Sequence, residues 1–150
     1  MKLLKCLSFL LLICLSKPAV SQTKPVFKIN HIALFVTDLQ RAGNFYINIV
    51  GLDTIPEPFH DGKHIWFDIG GGAHLHLIKG ASSEKEYYQN NHLCLSTTNI
   101  PEFIQKLDKY KIAWFDSGGN PYKVTKRVDG VLQVYLKDPD GYWLEINNDK

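Results

Sequence analysis

Five of the six histidines in this 150-residue chain sit where shared work is plausible: His64, His74 and His76 lie close together, and His31 and His92 each follow an asparagine. Glu145 lies near the C-terminus in the apolar run Tyr142-Trp143-Leu144-Glu145-Ile146. Neutral imidazoles converging with a carboxylate form a donor set that zinc, nickel, iron or manganese accepts, so the chemistry on offer is that of a bound divalent metal. A single histidine on a strand is more often solvated or hydrogen-bonded than ligating. Equivalence across a repeat lifts these residues above that background.

Sliding the sequence on itself by 61 residues lays Asn30-His31-Ile32-Ala33-Leu34 on Asn91-His92-Leu93-Cys94-Leu95, with Thr37 on Thr98. With eight more residues in the second half, Gly72-Ala73-His74-Leu75-His76-Leu77 falls on Gly141-Tyr142-Trp143-Leu144-Glu145-Ile146. The chain reads as a duplication. Two copies that set a histidine at the same strand position present both to a pseudo-twofold axis. The matched pair His76 and Glu145 completes a four-point metal site with His31 and His92.

The elements that must position these residues follow from periodicity. Residues 28 to 36 alternate, with Ile32, Leu34 and Val36 on one face and His31, Ala33 and Phe35 on the other, as a half-buried strand requires. A helix capped by Thr37 or Asp38 follows, with Leu39, Ala42, Phe45 and Ile49 at helical spacing until Gly51. In the second half Asn99 caps, Pro101 takes the first helical position, and Phe103, Leu107 and Tyr110 form the apolar stripe. Strands are expected over 64–69, 74–78, 131–137 and 142–147, separated by turn residues such as Asp138-Pro139-Asp140-Gly141. The fold class is α+β: two tandem βαβββ modules, residues 27–79 and 88–148, with antiparallel-rich curved sheets around a central cavity. The polar stretch Gly80 to Asn90 joins them.

With the aliphatic faces packed on helices, the opposite faces collect the four metal candidates together with Phe35, His64, Trp66, His74, Tyr135 and Trp143. Such a surface, rich in rings with a few placed polar groups, suits a substrate pocket. His64 is an acid/base or mouth candidate, and His74 a pocket wall. His60, beside Asp61-Gly62, reads as a solvated loop residue.

Lys2 and Lys5, the apolar run Cys6 to Leu15 and the small residues Ala19 and Ser21 form a secretory signal pattern over residues 1–21, with the cut before Gln22. The mature chain, 22–150, is therefore expected to be secreted or periplasmic. Removing that segment takes away Lys2, Lys5 and Lys17 but no acid, and turns the formal charge from +2 to −1. No basic stripe remains to follow a phosphate backbone, so nucleic acid is not an expected partner, nor is a membrane after cleavage; a small molecule is. Cys94 is the one cysteine outside the leader, so no internal disulfide is expected, and the residue reads as a small buried hydrophobe.

The segments NHIALFVTDLQRAGNFYINIVGL, NHLCLSTTNIPEFIQKLDKYKI and YLKDPDGYWLEIN resemble the vicinal oxygen chelate superfamily, to which glyoxalase I, the bleomycin resistance proteins and extradiol dioxygenases belong. DPDGYWLEI is most similar to the closing motif of glyoxalase I. The resemblance implies a divalent metal held by His31, His76, His92 and Glu145, with Glu145 and His76 catalytic and Glu145 the base. It also marks a departure: glyoxalase I usually has a glutamate where this chain has His76, and clear counterparts of its glutathione-binding basic and asparagine residues are missing. The leading expectation is a metal-dependent, glyoxalase I-like lyase or isomerase acting on a small α-hydroxycarbonyl or hemithioacetal. An Fe(II) extradiol dioxygenase using His31, His92 and Glu145 is the alternative, and a non-catalytic binding protein of the bleomycin-resistance kind a second. Modules of this kind either close within a chain or exchange in a homodimer.

Overall fold

Alternation along residues 31 to 36 becomes strand β1 (His31–Val36) in the computed structural model, which describes residues 27–150. The expected leader over 1–21 lies outside the described residues. Leu34 and Val36 are buried, while His31, Ala33 and Phe35 face outward. Asp38, not Thr37, caps α1 (Leu39–Phe45), its carboxylate accepting the Arg41 N–H at 3.0 Å. The helix expected to run on to Gly51 widens instead into one π-helical turn (Tyr46–Val50), closed by the Gly51 and Leu52 N–H groups on the Tyr46 carbonyl. Fully buried Tyr46 donates its hydroxyl to Asp138 at 3.0 Å, a contact across the modules that local periodicity does not encode.

The first sheet runs in the order β1-β4-β3-β2, with β2 (Thr54–Ile55), β3 (His64–Asp68) and β4 (His74–Lys79). Its register pairs His31 with His74 in parallel and sets His76 between Ala33 and Trp66. The second sheet repeats the design as β5-β9-β8-β6, with β5 (His92–Ser96), β6 (Trp114–Phe115), β8 (Leu132–Lys137) and β9 (Trp143–Asn147); β7 (Thr125–Lys126) pairs with β8. Here His92 pairs with Trp143, and Glu145 lies between Cys94 and Tyr135. The duplication therefore holds in three dimensions, and the α+β architecture of two modules is the observed fold.

Helix α2 (Ile100–Lys109) begins one residue before Pro101. Its cap is reciprocal: Asn99 accepts the Glu102 N–H at 3.1 Å and donates its amide to the Glu102 carboxylate at 3.0 Å. Ile100, Phe103 and Leu107 are buried, but Tyr110, expected on the stripe, is 49 % exposed because the helix ends at Lys109. Cys94 is not the buried residue expected. It is exposed, because it lies on the site face of β5, an edge strand. Its sulfur accepts from the Asn147 amide at 3.1 Å, and desolvation together with the Glu145 carboxylate pushes the thiol up to about 12, so it stays protonated and unreactive.

One core joins the modules: Leu34, Val36, Tyr46, Leu75 and Leu77 of the first cluster with Leu107, Val134, Leu136, Leu144 and Ile146 of the second. Each fully buried aliphatic side chain contributes roughly 1.5–3 kcal/mol. The turn between β8 and β9 is keyed into the first module. Asp140 accepts both the Thr37 N–H and its hydroxyl at 2.7 Å, and the Pro139 carbonyl accepts from Arg41 at 3.1 Å. Asp138 is buried at this junction. Burial raises its pKa to about 6, against the pull of hydrogen bonds from the Tyr142 N–H, the Tyr46 hydroxyl and the Asp140 N–H. Gly141, at φ +92°, closes the turn where a Cβ would run into the Lys85 carbonyl.

Candidate metal and catalytic site

Strand phase sets His92 and Glu145 on one face of the second sheet, and the side chains meet: His92 Nε2 lies 3.1 Å from Glu145 Oε2. On its other side His92 donates Nδ1–H to the Gln89 carbonyl at 2.8 Å. A carbonyl can only accept, so in the neutral ring the lone pair is on Nε2, aimed where the carboxylate also points. Two acceptors facing one another want a proton or a cation between them. Anchoring the far nitrogen is how proteins orient a ligating imidazole.

Glu145 is buried and well held. Tyr135 donates its hydroxyl at 2.6 Å, Asn147 its amide at 2.9 Å, and the Gln133 amide also donates. Burial works against the charged form, but the hydrogen bonds from Tyr135, Asn147 and Gln133 outweigh it and keep the carboxyl below its ordinary value. Glu145 is thus an ionised, oriented base across the neutral range. Tyr135 bears the converse effect: burial and then the bond to Glu145 push its phenol well above the ordinary value.

The first sheet carries the other half. His31 donates Nδ1–H to the Asn30 side-chain oxygen at 2.8 Å, and its ring centroid lies 5.8 Å from that of His76. His76 is only 7 % exposed, stacks on Trp66 at 4.2 Å, and has neither ring nitrogen hydrogen-bonded. Desolvation first, then the neighbouring His64 and His31, hold its pKa below the usual histidine value, so the ring is a neutral donor. His64 gives its Nδ1–H to Asp61 at 2.8 Å and lies 5.1 Å from His76. His74 meets Trp66 edge-on at 5.9 Å. Phe35, on the same face of β1, is 51 % exposed.

The two halves do not meet within the chain. Among the described residues, one group of three or more His, Cys, Asp or Glu donors lies within 4.8 Å, and it is Glu57, Asp61 and His64. Its carboxylates are already engaged, Glu57 by the Phe59 N–H and Asp61 by the Lys63 N–H and His64. A cavity of about 430 Å³ beside His92 is walled by Ile32 and Leu34, the apolar face of β1, and not by His31 and His76. Each half nonetheless has the donors a divalent metal takes: two unpartnered buried nitrogens on His76, and the paired His92 nitrogen and Glu145 oxygen. The donor chemistry fits such an ion, which His31, His76, His92 and Glu145 would hold together only where a half of each kind is brought face to face.

Alternation along the strands puts Gln133 and Asn147 on the face of Glu145 but does not give their role of orienting it; Gln89, which anchors His92, and Phe59, whose ring lies 4.7 Å from His64, carry no sequence signal. Strand pairing gives that role, since Gln133 and Asn147 are cross-strand partners beside the Tyr135–Glu145 pair.

Two βαβββ modules, each with imidazole or carboxylate side chains on one sheet face, define the class of fold. Residues 28–146 match the family model of the Glyoxalase/Bleomycin resistance protein/Dioxygenase superfamily, and the chain belongs to that family. It is 28 % identical over 130 residues to the mitochondrial methylmalonyl-CoA epimerase of Homo sapiens, covering 79 % of this chain and 72 % of that one. To the lactoylglutathione lyase of Pseudomonas putida it is 24 % identical over 166 residues, covering 86 % and 87 %. The crystal structure of a glyoxalase/dioxygenase from Nostoc punctiforme superposes with a TM-score of 0.68 at 26 % identity, covering 82 % of this chain and 91 % of that one.

Proposed function

We propose that this protein is a divalent-metal-dependent enzyme that moves a proton on the carbon next to a carbonyl, a glyoxalase I-like lyase or isomerase acting on a small α-hydroxycarbonyl or hemithioacetal. One observation carries the reading: Glu145 is buried yet held ionised by three donors, 3.1 Å from Nε2 of a histidine whose other ring nitrogen is anchored. When bound, the metal supplies Lewis-acid polarisation of the substrate carbonyl. Glu145 takes the adjacent proton and returns it, while Tyr135, Asn147 and Gln133 fix the direction of its lone pairs. Trp66, Phe35 and Trp143 keep water from the reacting carbon. The similarity to an epimerase and a lyase supports this chemistry, and the unpartnered His76 nitrogens favour four donors over the two histidines and one carboxylate of an oxygenase.

In this reading the site is completed between two copies, the His31–His76 half of one facing the His92–Glu145 half of the other. The separation of the halves within one chain supports it, as do the exposed Phe35 and Phe59 beside them. Export by residues 1–21 belongs to the same proposal, and an intact mass for the secreted protein beginning at Gln22 tests it.

The chemical test is turnover of hemithioacetals formed from an α-oxoaldehyde and small thiols, with zinc, nickel, iron or manganese restored to chelated protein. Glu145→Gln should lower turnover by about 10²–10⁴-fold with the circular dichroism spectrum unchanged. Undiminished turnover in that variant overturns the assignment of the base.

A further inference from the structure

Beyond Glu145 the site face of the second module continues into a separate cavity of about 540 Å³. Lys137 pairs with Trp143 and Phe115 with Tyr135 in the sheet, so Lys137, Trp143 and Phe115 stand on the face that carries Glu145. Trp143 is two residues along β9 from Glu145, about 7 Å at strand rise. Its indole N–H donates to the Tyr87 carbonyl at 2.9 Å, which fixes the ring, and Phe115 meets it edge-on at 5.6 Å. The Lys137 ammonium lies 5.0 Å from the centre of that ring. Lys111 enters the wall from the loop after α2, at a φ of 56°. Gln89 lines the same cavity, and its carbonyl is the oxygen that anchors His92.

The charge pattern is one-sided. No acidic residue lines the cavity, and neither lysine has a carboxylate within 4.0 Å among the described residues. The chain after residue 21 carries a formal charge of −1, so two lysines lining one aromatic-walled cavity are a local exception and not part of a general basic field. An ammonium held over an indole, with a second lysine in the lining of the same cavity and no internal counter-ion, is arranged to receive an anion attached to a flat or apolar body. Other groups lack this geometry. The Glu57, Asp61 and His64 loop is satisfied by its own hydrogen bonds, and Arg127 is already paired with Asp129 and Asp149.

We propose that this cavity is an anion-binding subsite that takes a carboxylate or phosphate-type group carried on an aromatic or apolar body. On the proton-transfer reading above, this group is the distal tail of the substrate, whose carbonyl then reaches Glu145. Lys137 and Lys111 are thus specificity-determining residues: they select an anionic substrate without touching the reacting carbon.

The experiment is calorimetric titration of the full-length protein, under chelator, with phenyl phosphate, benzoate and neutral benzyl alcohol. Both anions should bind saturably and at least tenfold more tightly than the alcohol, and the tighter of the two identifies the charged group preferred. The double substitution Lys137→Gln, Lys111→Gln should weaken anion binding at least tenfold and leave the alcohol unaffected; both side chains are exposed, so the fold is retained. Trp143→Leu should weaken all three. Binding should persist in Glu145→Gln, which separates the subsite from the proton-transfer reading: loss of turnover with anion binding intact bears on the latter alone. Equal affinity for the alcohol, absence of saturable binding, or indifference to the lysine substitutions overturns the proposal.

Discussion

His31, His64 and His92 share a device. Each has Nδ1 against an oxygen of the chain, from Asn30, Asp61 and Gln89 respectively, which in the neutral ring puts the lone pair on Nε2. His76 departs from it, with both nitrogens buried and unpartnered. An unmet buried polar group costs about 1–3 kcal/mol, so His76→Leu should stabilise the metal-free protein against urea by about 1 kcal/mol while weakening metal binding. Loss of stability under chelator would show that the ring is satisfied after all. Tyr135→Phe removes a donor from Glu145 and should move the acid limb of the pH–rate profile upward, because the carboxylate's depressed pKa depends on that bond. Turnover should fall about tenfold, as loss of a supporting hydrogen bond commonly brings. The positions of His31, His92 and Glu145 were legible from strand phase and repeat. So was the face on which Gln133 and Asn147 lie, but not the hydrogen bonds these two and Gln89 make, which arise only through pairing across strands and through the linker.

Between elements, the turn at Asp138–Gly141 does what the hydrophobic pattern cannot, locking β8–β9 onto α1. Asp138 is the sensitive point. Its folded-state pKa is raised from 3.8 to about 6, so the folded protein holds this proton more tightly than the unfolded chain. Its contribution to stability is therefore greatest at low pH and is lost as pH rises from about 4 to about 6, a difference of about 2–3 kcal/mol. Asp138→Asn should remove that slope. Urea midpoints of variant and wild type should move apart in the variant's favour between pH 4 and pH 7, and parallel curves would refute the shift. Strands and helix caps were readable because alternation and Asx caps are local signals. The π-helical turn at Tyr46 was not, and the hydroxyl that ties this turn to the rest of the fold reaches Asp138, distant in sequence.

At the scale of the whole molecule, the duplicated sequence pointed to the topology of each module but not to how the modules face one another. That depends on Thr37, Arg41 and Tyr46 meeting the turn after β8, single contacts without periodicity. If the site forms between copies, two inactive variants should rescue each other. Mixing His31→Ala with Glu145→Gln by unfolding and refolding together regenerates one intact site in each heterodimer, so about a quarter of wild-type activity should return if pairing is random. No recovery would require the site to close within one chain. The equivalent strand positions filled by His76 and Glu145 have a last consequence. Copying made the site faces of the two modules geometrically alike, and divergence left a permanent anion on only one of them, so a site closed between copies has one anionic wall. A near-symmetric room with a single base is handed: the proton leaves and returns over the same side of the bound molecule. Product formed in heavy water should therefore carry deuterium with one configuration, and a racemic label would mean that the opposite wall also delivers protons.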